Sequence, residues 1–257
     1  LKTISIEEMS HMVFAANILN AVGGTPILND EYAIPIYPAF PVGVDINGAL
    51  RLRKLSMDQI KLFMKFEQTS KSQAECFEKS SQVDKLSCSI KENTHTLPGL
   101  YALIKKSMAH LETEANLENR TIFTGDADRQ FTSEYWYSNV GQEGVTKPFA
   151  VHDLDSAIEA IKVIVTEGQG MDECNPLDTA HDLSHYYRFE EILRKQRIKV
   201  TDAGCDKCHG SQHCDQDQII FPPDTHKHIT CNISYCFSGE RIEFSETGIW
   251  PMMDDPT

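Results

Sequence analysis

Two pairs of residues in this chain have the types and spacing that metal chemistry requires. Glu8 and His11 stand three apart, and Asp182 and His185 repeat the pattern with a shorter acid. Residues three apart on a helix are neighbours, so each pair can offer a carboxylate oxygen and an imidazole nitrogen to one ion. In the first stretch Ile4, Glu8, His11, Ala15, Ile18 and Val22 follow 4-3-4-3-4 spacing, the seam that one helix turns toward its bundle partners. In the second, Asp182, His185, Phe189 and Ile192 follow 3-4-3 spacing. A charge buried without a partner costs several kcal/mol, so acids and imidazoles within apolar seams require a cation or an ion-pair network. One such pair is commonly surface polarity or a satisfied core histidine. Two of them favour the cation. Glu7, Glu190 and Glu191 fall on other faces and read as solvated or paired with Arg188 or Arg194.

These pairs need helices to hold them. The spacing predicts a helix over 1–22, ended by Gly23-Gly24 with Pro26 beyond. Ile34-Pro-Ile-Tyr-Pro-Ala-Phe-Pro41 cannot be helical. Ser56 caps a short helix from Met57 to about Phe66. Residues 68–96 are polar and hold Cys76 and Cys88, as an insertion closed by one disulfide would. A second long helix runs from Leu97 to about Ala115, and 116–150 is loop-rich. Asp153 caps a third, running to Glu167 and stopped by Gly168 and Gly170, and 179–196 form the next. After Gly204 short β-like runs appear at 218–221, 229–237 and 241–244. The expected architecture is mainly α: a ferritin-like four-helix bundle over 1–200, lacking its first helix, with a cysteine-rich loop/β extension over 201–257 packed on it. Bundles that hold two metal ions combine two acid-x-x-His pairs with one carboxylate from each of the two other helices. Glu167 can supply one. The other is expected from a helix before Leu1, and the chain reads as part of something longer.

With 38 acidic against 24 basic residues, the formal charge is −14. Nucleic acid and anionic membranes demand a basic surface, so neither is expected as a partner. No apolar run is long enough to span a bilayer. Eight cysteines are present: Cys76, Cys88, Cys174, Cys205, Cys208, Cys214, Cys231 and Cys236. Cys205-Asp-Lys-Cys208 is a good zinc half-site that Cys231, His226 or His228 could complete. The even count favours a disulfide framework instead, with Cys76 paired to Cys88. Sequons at Asn119 and Asn232, together with the cysteines, point to a secreted or lumenal, glycosylated protein.

Several stretches carry a family likeness. Glu7-Glu-Met-Ser-His-Met12, Ala16-Asn-Ile-Leu-Asn-Ala-Val-Gly-Gly-Thr-Pro26 and Ser184-His-Tyr-Tyr-Arg-Phe-Glu-Glu-Ile192 resemble the ferritin-like domain of the iminophenyl-pyruvate dimer synthase family. Tyr37-Pro38, Leu97-Pro-Gly-Leu-Tyr101, Thr124-Gly-Asp-Ala-Asp-Arg-Gln130 and Gly248-Ile-Trp-Pro-Met252 are similar as well. The chain departs from that family at Thr166-Glu-Gly-Gln-Gly170, where the family reads Glu-Gln-Gly-Glu-Gly, and at Asp182, where it has Glu. The resemblance implies a metal-dependent oxidoreductase that meets O2 or a small organic substrate. One or two iron ions would be held by Glu8, His11, Glu167, Asp182 and His185, with zinc the other metal to consider. The rival expectation is a non-catalytic, disulfide-stabilised extracellular domain with a degenerate metal site.

Overall fold

A computed structural model of the 257-residue chain describes residues 1–28, 30, 36–38, 50–51, 53–67, 97–136, 145–170, 176–201 and 234–241. Five helices, one 3-10 turn and two strands lie among them. The helices are α1 (Lys2–Ala21), α2 (Met57–Glu67), α3 (Leu97–Leu117), α4 (Leu154–Gln169) and α5 (His185–Arg194). The turn is Ala127–Arg129, and the strands are β1 (Gln196–Thr201) and β2 (Ser234–Arg241). The chain is mainly α, as the helical spacing predicts. Among the described residues no helix is long and apolar enough to cross a membrane. The chain divides into two compact units, Leu1–Arg51 with Thr69–Val165, and Leu52–Gln68 with Thr166–Thr257.

The first unit is built on α1. Its buried residues Ile4, Glu7, His11, Phe14, Ile18 and Ala21 advance by three and four, so one stripe faces inward. Phe14, Ile18 and Ala21 join Met108 of α3 and Ala157, Ala160, Ile161 and Ile164 of α4 in one apolar core, and Phe14 meets Phe149 edge-on at 4.8 Å. Side-chain amides tie the loops to this core. Asn17 donates to Phe131 O at 2.8 Å and to Phe149 O at 3.0 Å, while Gln130 exchanges two 2.6 Å bonds with the backbone of Val151. Gly125 lies so close to the end of α1 that a Cβ there would sit 1.7 Å from Asn20 O. Only glycine fits. Asp153 caps α4 as expected, its Oδ1 accepting from Ser156 N at 2.8 Å.

In the second unit α2 and α5 pack through Phe63 and Phe189, whose ring centres are 5.4 Å apart. Ser56 caps α2 by accepting from Gln59 N at 3.2 Å. The helix expected over 179–196 begins only at His185, because Asp178 organises the preceding residues as a loop. Lys195 ends α5 in the left-handed conformation, φ 56 and ψ 34, and the chain turns directly into β1. That strand was not expected, although Ile198, Val200 and Thr201 are β-branched. β1 pairs antiparallel with β2 in the register Ile198↔Phe237 to Thr201↔Ser234, with an irregularity between Gln196 and Ile198. β2 overlaps the run expected at 229–237. The run at 218–221, the insertion at 68–96 and the proposed cysteine pairings fall outside the described residues.

Candidate metal centre

Each unit presents one acid–imidazole pair. In the first, Glu8 and His11 sit one helical turn apart on α1, with Glu8 Oε2 3.6 Å from His11 Nδ1. His11 is buried at 6% exposure, whereas half of the Glu8 side chain meets solvent. The buried stripe runs through position 7 rather than 8. Glu7 is therefore 1% exposed, not solvated as its position off the predicted seam implied. Phe14 and Ala21 anchor that stripe, which turns Glu8 to its rim.

In the second unit His185 opens α5 at 1% exposure, and its neighbour is an acid that the spacing argument overlooked. Glu67, the last residue of α2, places Oε1 3.6 Å from His185 Nδ1. Phe63 and Glu67, four apart on α2, meet Phe189 and His185 of α5. The signal was present, but a single acid at the end of a short helix carries no paired motif. Gly168, in the last turn of α4, makes room for it: a Cβ there would lie 2.5 Å from Glu67 Oε2.

Asp182 does not share a helix with His185. It lies before the Ser184 cap, and its backbone N–H donates to Asp178 Oδ1 at 2.9 Å. The three-residue helical spacing that was to align its side chain with His185 is therefore absent. Glu167 is 1% exposed near the end of α4, beside the equally buried Asp178. Burial, and then the neighbouring charges of Glu167 and Asp182, push the Asp178 carboxyl up to about 6, against two opposing backbone hydrogen bonds. Farther along α5, Glu190 and Glu191 are both buried; Glu190 is paired with Arg194, one of the two partners expected, whereas Glu191 is paired with Arg197. Glu190 accepts from Arg194 Nε at 2.9 Å, and Glu191 from Ile198 N at 2.8 Å and Arg197 at 3.3 Å. Burial raises the Glu190 carboxyl despite Arg194. Burial, with Glu190 nearby, pushes the Tyr186 hydroxyl up to about 12. Of the two sequons, Asn119 is described, exposed in a left-handed turn at φ 52 after α3.

Carboxylate oxygens and imidazole nitrogens suit a first-row metal such as iron or zinc. The gap that Gly168 leaves for the Glu67 carboxylate fits a ligand cradle. The helical architecture and these two pairs define the class. Residues 1–194 match the Ferritin-like family, and the chain belongs to it. Neither the curated proteins nor the solved structures give a match. Ferritin-like domains often bind metal, iron in particular.

Proposed function

We propose that the chain is an iron-binding ferritin-like domain in which the Glu8–His11 and Glu67–His185 pairs supply ligands to one or two ions. The observation that carries this reading is the repeat itself: a buried imidazole with a carboxylate at 3.6 Å, once in each unit. Glu8, His11 and His185 are candidate ligands, offering one carboxylate oxygen and two imidazole nitrogens. Glu67 takes the part expected of Asp182, and Glu167 is a further ligand. When bound, iron supplies one-electron chemistry toward O2. The chain's own groups do the rest. Neutral His11 and His185 donate nitrogen lone pairs from dry surroundings, Glu67 and Glu8 offset the ion's charge, and burial limits exchange with bulk water.

The narrower assignment, a metal-dependent oxidoreductase acting on a small organic substrate, rests on the stretches around His11 and His185. They resemble the iminophenyl-pyruvate dimer synthase family. The second reading is a secreted or lumenal structural domain with a degenerate site. It is favoured by Thr166 and Gln169, which stand where that family has glutamates. An amide or hydroxyl is a poorer ligand for a hard cation than a carboxylate. Elemental analysis of the purified chain, followed by mixing the iron-loaded protein with O2, separates the two. Bound iron and an O2-dependent absorbance change are expected. An iron-free chain that does not take up Fe2+ would overturn the metal reading.

A further inference from the structure

We propose that Asp178 is a positioning residue for His185: its carboxylate closes residues 178–182 into a loop that delivers the imidazole at the head of α5. The inference rests on the metal reading above and extends it beyond the ligands. Asp178 Oδ1 accepts from Ala180 N at 2.8 Å and from Asp182 N at 2.9 Å. The backbone closes the same loop, with Asp178 N donating to Asp182 O at 2.8 Å and His181 N to Asp178 O at 3.2 Å. His181 takes a left-handed conformation, φ 64, to complete the turn. Leu177 then bridges to Leu183, and Ser184 N donates to Pro176 O at 2.9 Å. His185 follows immediately as the first residue of α5.

The Ser184 side chain makes no capping bond to α5. The start of this helix is therefore set from outside the helix, by the loop that Asp178 ties. Asp178 is 1% exposed, and its Oδ2 has no hydrogen-bond partner among the described residues. A buried acid that uses one oxygen for two backbone donors and keeps the other dry beside Glu167 is an expensive way to make a surface turn. Its position is accounted for if the place of His185 matters, because ligands must be held to about half an ångström. Groups that orient a ligand without touching the metal typically change affinity by about 10–100-fold.

Co2+ titration, followed by the visible absorption of the bound ion, tests this on the parent chain, Asp178→Ala and Asp178→Asn. The asparagine keeps an Oδ1 for Ala180 N and Asp182 N, so Asp178→Asn should bind Co2+ close to the parent's affinity. Asp178→Ala should bind it about 10–100-fold more weakly, with an altered spectrum. Far-ultraviolet circular dichroism of the apo proteins verifies that both variants are folded, and Asp178→Asn carries the test if the alanine variant is not. Equal affinity in all three overturns the inference alone. So does an asparagine variant as weak as the alanine one, since the charge and not the loop closure would then matter. A parent that binds no Co2+ overturns the metal reading together with this inference.

Discussion

Glu190 shows how burial and pairing compete at one residue. It is 5% exposed, Arg194 Nε lies 2.9 Å away, and burial still holds its carboxyl above the ordinary glutamate range. A raised carboxyl means that the native state binds its proton more tightly than the unfolded chain does. Between the ordinary and the raised values the native state holds more protons, so stability falls as pH rises through that window and levels off above it. Glu190→Gln keeps an acceptor for Arg194 and removes the charge. The variant should lose less stability than the parent between about pH 4 and about pH 7, and at neutral pH it should be as stable or more so, by about 1 kcal/mol. Urea titrations of both proteins at the two pH values check this. A variant that is less stable than the parent at neutral pH would show that the ion pair outweighs the desolvation. The same contest explains what was legible at this scale. His11 and His185 stand out because imidazoles in apolar seams need a reason. Glu7 was misplaced because the seam is rotated by one position, and Asp178 was overlooked because a loop closed by one side chain leaves no periodic trace.

At the scale of elements, caps and stops were legible and changes of direction were not. Ser56 and Asp153 cap α2 and α4 where their side chains predict, since a cap is a local bond between neighbours in sequence. The start of α5 at His185 depends on Asp178, and the passage from α5 to β1 depends on the left-handed Lys195, which no propensity favours. Gly168 is the element-scale test of the site. It lies in the last turn of α4, where alanine is ordinarily the better helix former by about 0.5–1 kcal/mol. Yet its Cβ would meet Glu67 Oε2 at 2.5 Å, the far end of a flexible side chain that can swing away. Gly168→Ala should therefore melt at or above the parent's temperature while its metal affinity drops about tenfold or more. Melting curves of the apo proteins and a metal titration give the two readings. Unchanged affinity would remove Glu67 from the centre.

For the whole molecule, the helical class was legible because the apolar seams extend over many turns, and the match over residues 1–194 bears out the ferritin-like family, though not the narrower dimer-synthase likeness. The division into two units was not, because the first interleaves Leu1–Arg51 with Thr69–Val165 while α2 joins the later part of the chain. Periodicity reports a helix's buried face, not the segment that covers it. On the metal reading, His11 and His185 are both required to hold the ion. The most direct test is the melting temperature of the metal-loaded chain with and without a strong chelator, for the parent, His11→Ala and His185→Ala. Metal bound only to the native state stabilises it by about 2.7 kcal/mol when free metal is about a hundredfold above Kd. The parent should lose several degrees on chelation, and both variants, lacking a ligand, should scarcely respond. An equal response in all three proteins, or none in the parent, would contradict the claim.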